Sequence, residues 1–317
     1  MSNAIEIKNL QVSFPTASGY SAVVRGINLT INPGERIAIV GESGSGKTML
    51  GLSMLGIQPA SARVEGDVLI GNTNMVTASD SIARKLRGKY ISMVFQEPLT
   101  SLNPVRTISS QLAESVRRHN NLGKKAAAAR VLEVLTAVGI PAPEERMKTY
   151  PHQLSGGLRQ RVMIALALIN SPQVVIADEP TTALDATIQA QILDLLRSGM
   201  GNAALMLITH DLAVAADVCD RIVVMYAGNI VEQGPVAQIL SNPKHPYTRG
   251  LLAAIPKFDP ARPALNPIPG SPPTITEIVS GCRFASRCSY ADSQCTASEP
   301  EFINNIACFH PVIGGNK

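Results

Sequence analysis

Eight residues constrain this chain more than any other stretch: Gly41-Glu42-Ser43-Gly44-Ser45-Gly46-Lys47-Thr48. They follow an apolar, strand-like run, Ile37-Ala38-Ile39-Val40, and precede Met49-Leu50-Gly51-Leu52-Ser53-Met54-Leu55, which can continue as a helix. Strand, glycine-rich loop and helix, in that order, are what a phosphate-binding loop requires. The glycines let the backbone turn tightly, so successive N–H groups point into one concavity at the positive end of a helix. Lys47 can reach the β- and γ-phosphates of a nucleotide, and the Thr48 hydroxyl can ligate Mg2+. Ser43 through Met49 are therefore the expected nucleotide contacts.

The flanking sequence supplies an α/β context. Ile5, Ile7, Leu10, Val12 and Phe14 nearly alternate, Ile27, Leu29 and Ile31 alternate strictly, and Val64, Val68 and Ile70 form a third alternating run. Each predicts a strand with one buried face, and together a small antiparallel sheet beside the nucleotide. Pro15 to Tyr20 reads as a loop. Tyr90 to Phe95 predicts a buried strand ending at Gln96, followed by a turn-rich passage from Glu97 to Pro104. Helical composition begins near Ile108. Between Lys124 and Val138 the apolar face is read as Ala128, Val131, Leu135 and Val138, with Gly139 as the cap. Val174-Val175-Ile176-Ala177 has the continuous β-branched character of a buried parallel strand. Ile188, Ile192, Leu195 and Leu196 mark an amphipathic helix, and Ala204–Thr209 and Arg221–Tyr226 read as two further strands. Strands alternating with helices predict a parallel sheet covered on both faces.

Bulk properties narrow the class. The chain has 317 residues, enough for one large α/β domain with an appendage or for two domains. At 45% hydrophobic and 16% charged it can build a sizeable core and lacks the bias of a disordered chain. The net charge is only +4. The basic clusters Arg84-Lys85-Leu86-Arg87 and Arg117-Arg118 are short and carry no interleaved aromatics, so they read as solvated faces and no nucleic-acid partner is expected. No apolar run approaches the ~18–20 residues that span a bilayer. The first residues lack the basic and apolar regions of a secretory signal. A cytosolic or peripheral protein with reduced cysteines is expected.

Chemistry gathers at strand ends, where open α/β sheets bind ligands. Asp178 ends a buried strand and can hold Mg2+ or its water shell. Glu179, next to it, is the expected group to take or orient the proton of an attacking water. Gln96 could ligate Mg2+ through its amide and sense the γ-phosphate. His210 ends a fourth strand and joins the catalytic set with Glu179 and Lys47.

Taken in order, Gly41–Thr48, Gln96, Leu154-Ser155-Gly156-Gly157, Asp178-Glu179-Pro180, Ala183-Leu184-Asp185 and His210 resemble the motifs of the nucleotide-binding subunits of ATP-binding cassette transporters. The Ser-Gly-Gly signature separates that family from other phosphate-loop ATPases. The resemblance implies a phosphate-loop NTPase core with an antiparallel β subdomain (residues 1–96 and 171–235), a helical signature subdomain (97–170), and a Cys-rich C-terminal extension (236–317). It implies two such domains enclosing two ATP molecules head to tail, with Ser155, Gly156 and Gly157 of one capping the γ-phosphate held by the other. A serine hydroxyl and bare N–H groups at a helix start suit an anion. Asp185 would then lie at the dimer seam. Position 158 is Leu where the common signature has Gln, so any contact from that Gln is lost. Tyr20 and Phe14 are both candidates to stack on adenine, and core packing suits Phe14 equally well. The groove of the helical subdomain would receive short helices from membrane subunits.

After about Gly234 prolines crowd the sequence and periodicity is lost, which reads as a separate C-terminal module. Asn242 to Leu252 resembles an element shared by importer ATPases for oligopeptides, dipeptides and nickel. The cysteines follow the pattern Cys282-x5-Cys288-x6-Cys295-x12-Cys308. Four thiolates in a reducing compartment call for a metal centre. Zinc sites usually carry closer pairs, and wider spacings suit a cubane cluster at least as well. The resemblance favours a [4Fe–4S] cluster, with zinc or unliganded thiols as alternatives. Cys219 and His310 read as structural.

The expected protein is the ATP-hydrolysing subunit of a peptide importer, peripheral on the cytoplasmic face. Its partners would be a second, related nucleotide-binding subunit, two permeases and, indirectly, an extracytoplasmic binding protein. Two rivals are a nucleic-acid or translation ATPase of the same superfamily, and a redox-sensing iron–sulfur ATPase. The first would be expected to show tandem cassettes or an inserted coiled coil, neither of which is visible.

Overall fold

The computed structural model describes residues 3–17, 19–97, 101–182, 184–255, 267–277 and 280–312. Pro98, Leu99, Thr100 and Ala183, and the prolines within 256–266, lie outside them. The chain forms two compact units. One takes the residues up to Glu6, then Thr30–Arg36 and Leu69–Ile208; the other takes Ile7–Leu29, Ile37–Val68 and the chain from Thr209 onwards. Elements are numbered along the chain.

The second unit contains the phosphate loop. Strands β1 (Ile5–Thr16), β2 (Gly19–Ile31) and β4 (Arg63–Ile70) lie in the order β2-β1-β4. In β1 the apolar residues Ile5, Ile7, Leu10 and Val12 are buried, and Phe14 is only half-buried. The loop read over Pro15–Tyr20 is shorter than expected, because β1 runs to Thr16 and β2 resumes at Gly19. Gly19, at φ +126°, turns the chain, and the Thr16 hydroxyl donates to its carbonyl at 3.1 Å. Strand β3 (Arg36–Val40) pairs in parallel with β9 (Arg221–Tyr226), with Ile37 opposite Arg221 and Val40 opposite Val224. Strand β10 (Asn229–Pro235) folds back antiparallel on β9. Helix α1 (Lys47–Leu55) follows the phosphate loop. Helix α8 (Leu212–Val218) begins after Asp211, whose carboxylate accepts the Ala213 and Val214 N–H groups, and it ends at buried Cys219.

Two helices occupy the stretch where periodicity had failed, α9 (Val236–Ser241) and α10 (Pro246–Ala253). They are too short for a repeating pattern to show. Caps define α10 instead: His245 Nδ1 accepts the Tyr247 N–H at 3.0 Å, and buried Glu232 accepts those of Lys244 and His245. The one-turn helix α11 (Ser293–Ala297) lies among the cysteines.

In the first unit β6 (Ile91–Val94), β7 (Val174–Asp178) and β8 (Ala204–Thr209) run parallel in the order β8-β7-β6. Nearly every residue of the three is buried, which is why their sequence is continuously apolar. Full burial contributes about 1.5–3 kcal/mol for each Val, Leu or Ile side chain. The same unit holds β5 (Thr73–Asn74) and the helices α2 (Asp80–Leu86), α3 (Ile108–Asn120), α4 (Lys124–Ala137), α5 (Pro143–Arg146), α6 (Gly156–Leu168) and α7 (Ala186–Ser198). The buried face of α4 keeps Val131 and Leu135 from the sequence reading, takes Ala127 in place of Ala128 and adds Val134, while Val138, just past the helix end, is buried as expected. Residues 127, 131, 134 and 135 follow the i, i+4, i+7, i+8 spacing, and Ala128 sits about 100° away around the helix. Gly139, at φ +73°, follows the helix end as expected.

Candidate nucleotide site and cysteine cluster

The phosphate loop is built around two glycines that no other residue could replace without movement. A Cβ on Gly41 would fall 2.2 Å from the Met225 carbonyl oxygen, and one on Gly46 would fall 2.4 Å from that of Val23. Gly46 also has φ +97° and precedes the first turn of α1. Gly44, at φ +80°, meets nothing within 4 Å. Lys47 is buried, and its ammonium donates to the carbonyls of Gly41 at 2.7 Å and Glu42 at 2.9 Å. Its positive charge therefore stands inside the loop. Ser45 is buried, whereas Ser43, Gly44 and Thr48 are exposed and Met49 is half-buried. The Gly228 N–H supports the loop from behind by donating to the Ser45 carbonyl at 3.1 Å.

Tyr20 is 60% exposed, with the Arg63 guanidinium 5.9 Å from its ring centroid. It lines a polar cavity of about 710 Å³ with Arg25, Arg63, Arg283 and Glu299.

In the first unit, buried Asp178 is the last residue of β7. Glu179 follows at φ +44°, a left-handed conformation that costs a non-glycine residue on the order of 1 kcal/mol or more. Its N–H donates to the Ile208 carbonyl at 2.9 Å. Its carboxylate accepts from the Thr182 hydroxyl at 2.8 Å and from the Gln96 amide at 3.4 Å. The structure thus brings Gln96 to Glu179, and adds Thr182, which sequence reasoning missed. The only available signal was a hydroxyl three residues after the acid. His210, which follows β8, is exposed and belongs to the second unit.

The signature segment starts α6. Ser155 is its N-cap, accepting the Leu158 N–H at 3.4 Å, and Ser155 and Gly156 are exposed. A Cβ on Gly157 would fall 2.8 Å from Ile188 Cγ2. Leu154, buried, anchors the segment. Asp185 is exposed and caps α7, its carboxylate accepting the Ile188 N–H at 3.0 Å.

Cys282, Cys288, Cys295 and Cys308 line one small apolar cavity with Phe284 and Tyr290. Burial pushes the thiols of Cys282 and Cys288 up, and that of Cys308 up to about 11, with the neighbouring cysteines adding to each shift. With no cation beside them, thiols so placed favour the neutral, protonated form. A single zinc ion, with Zn–S near 2.3 Å, holds its thiolates about 3.8 Å apart. Among the described residues no three of these thiols come within 4.8 Å of one another; the group that does is Asp292, Cys295 and His310. Asp292 accepts the Cys295 N–H at 3.0 Å and lies 2.9 Å from His310 Nε2.

Residues 24–182 match the ABC transporter family, and residues 231–295 match the oligopeptide/dipeptide transporter C-terminal region. The dipeptide transport ATP-binding protein DppD of Bacillus subtilis is 49% identical over 292 residues, covering 91% of this chain and 87% of DppD. The oligopeptide transport ATP-binding protein OppD of Mycobacterium tuberculosis is 44% identical over 96% of this chain, which spans 50% of OppD. Among solved structures, the dimeric post-hydrolysis state of the ATP-binding cassette MJ0796, bound to ADP and Pi, superposes with a TM-score of 0.65. It is 30% identical and covers 73% of this chain and 98% of its own. With its phosphate loop, its signature helix start and these relatives, the chain belongs to the ABC transporter family.

Proposed function

We propose that the chain is the ATP-hydrolysing subunit of a di- or oligopeptide importer. The observation that carries this is one polypeptide holding both the phosphate loop and the C-terminal region of oligopeptide and dipeptide transporters. We divide it functionally into a core (1–96 and 171–235), a helical subdomain (97–170) and an extension (236–317).

The roles follow residue by residue. The N–H groups of Ser43 to Met49 and the Lys47 ammonium neutralise phosphate charge. Thr48 offers Mg2+ a hydroxyl, Asp178 a carboxylate and Gln96 an amide oxygen. Glu179 orients the attacking water and takes its proton, and His210 joins the catalytic set. The Thr182 hydroxyl, donating to Glu179, keeps that carboxylate aimed. Ser155, Gly156 and Gly157 bind the triphosphate held by a second nucleotide-binding subunit, and Asp185 lies at that seam. Tyr20 stacks on adenine.

Among the described residues no helix is long and apolar enough to cross a membrane. The subunit would act peripherally, on the cytoplasmic face, against two permeases fed by an extracytoplasmic binding protein. Dimer closure on Mg-ATP would shift the permeases between their two access states. The spacing of the cysteines along the sequence suits a cubane at least as well as zinc, and the family resemblance favours the cubane, so Cys282, Cys288, Cys295 and Cys308 are assigned as ligands of a [4Fe–4S] cluster. Such a group would cross-link the extension and supply one-electron redox chemistry that ATP hydrolysis does not need.

The test is Glu179→Gln, which keeps the hydrogen bonds and removes the base. Hydrolysis should fall at least a hundredfold while ATP binding persists and a nucleotide-bound dimer accumulates with the partner subunit. Undiminished turnover would sink the assignment.

A further inference from the structure

Glu42, the second residue of the phosphate loop, is held at both its backbone and its side chain by residues more than 200 positions away. Its carboxylate is gripped end-on by Arg287: Nη1 donates to Oε2 at 2.7 Å and Nη2 to Oε1 at 3.0 Å. Its N–H donates to the Tyr247 hydroxyl at 2.9 Å. Arg287 is itself fixed. Its side chain is 4% exposed, Nε donates to the Pro269 carbonyl at 2.8 Å, and Nη1 lies 3.3 Å from the Tyr226 hydroxyl. The guanidinium stacks 5.7 Å from the Tyr226 ring and 5.9 Å from that of Phe284. Tyr247 is fully buried against both rings. On the other side of Glu42, its carbonyl accepts from the Lys47 ammonium. A continuous line of contacts therefore runs from the aromatic cluster through Arg287 and Tyr247 to Glu42, and from Glu42 to Lys47.

We propose that Arg287 and Tyr247 are positioning residues of the nucleotide site: they hold the phosphate loop in its anion-binding shape and cancel the charge of Glu42. A carboxylate inside an anion-binding loop opposes the ligand it frames. With a bidentate, desolvated guanidinium on it, that charge is neutralised before any phosphate arrives. The bridge supplies specificity of shape rather than net stability, since a buried pair is costly to desolvate. Removing Arg287 leaves Glu42 charged and free to swing, and the two carbonyls that receive Lys47 lose their brace. The inference rests on the reading of Gly41–Thr48 as the nucleotide loop.

The experiment is a nucleotide titration on the purified full chain, with fluorescent Mg-ATP as probe and thermal denaturation run in parallel. Arg287→Met should weaken binding about tenfold, equivalent to about 1.4 kcal/mol. The double variant Glu42→Gln/Arg287→Met should recover most of that loss, because a neutral amide needs no counter-charge. A merely structural bridge makes the opposite forecast: affinity per folded molecule unchanged in Arg287→Met, or no recovery in the double variant. Either result overturns the proposal. Should Arg287→Met not fold, Tyr247→Phe removes a single oxygen; it should raise KM for ATP about threefold at unchanged kcat, and an unchanged KM overturns the proposal equally. Lys47→Ala separates the two readings. Retained tight binding in that variant refutes the loop itself, whereas lost binding there with Arg287→Met unaffected refutes only the brace.

Discussion

Lowering the pH from 7.5 to 5.0 should weaken the fold through one buried histidine. His245 is 2% exposed, and burial lowers its pKa from 6.5 to about 3. Its Nδ1 is committed as an acceptor to the Tyr247 N–H, which a protonated ring could not satisfy. The groups around it are buried Glu232, which accepts the His245 N–H, and the thiols of Cys282, Cys288, Cys295 and Cys308 with His310 on the shared cavity. The unfolded chain takes up the proton near pH 6.5 and the folded chain only near pH 3. Stability from this group is therefore complete above about pH 6.5 and is lost as the pH falls toward 3. At 1.36 kcal/mol per unit, the 1.5 units between pH 6.5 and 5.0 remove about 2 kcal/mol. That is a large part of a typical 5–15 kcal/mol. The assay is thermal denaturation at both pH values for wild type and His245→Asn, whose amide oxygen can still accept from Tyr247 but does not titrate. Wild type should lose about 2 kcal/mol more than the variant on acidification, several degrees of Tm. Equal losses in the two proteins would refute the reasoning.

Two further outcomes follow from the geometry of the loop and the cysteines. Gly46→Ala should weaken Mg-ATP binding by at least tenfold, about 1.4 kcal/mol, because its Cβ would fall 2.4 Å from a backbone oxygen. Gly44→Ala, strained but unobstructed, should lose less, and equal losses would contradict the packing argument. Protein purified without oxygen should contain iron and sulfide and show broad visible absorbance that Cys308→Ser abolishes. Colourless, iron-free protein with full activity would remove the cluster.

Much of the candidate site was legible because its chemistry is local. A phosphate loop needs contiguous glycines between a strand and a helix, so Gly41–Thr48 announces itself in eight letters. Asp178-Glu179 and His210 are legible for a related reason: buried parallel strands are apolar runs, and the first polar residues after them stand at the edge where ligands bind. The approach of Gln96 to Glu179 was foreshadowed only by both following such strands. Thr182 was not foreshadowed, since a hydroxyl three residues from an acid is commonplace in turns.

Elsewhere local pattern was insufficient. Alternation could not say where the β1–β2 reversal would tighten, because Gly19 and the Thr16 hydroxyl allow pairing to continue past a proline. The helical period pointed to Ala128, and the packed face buries Ala127 instead. Helices α9 and α10 span only about two turns each, too few for a repeating pattern to show, and buried caps hold α10 instead.

By itself, then, the order of residues determined the class of fold, the candidate anion-binding loop and the family, because each depends on neighbours within a few positions. Only the tertiary structure decided that Arg287, which no sequence motif singled out, closes on Glu42 across 245 positions. No periodicity records such a pairing. It exists because Tyr226, Tyr247 and Phe284 pack into one buried cluster, and a guanidinium brought into that apolar ground must find a carboxylate.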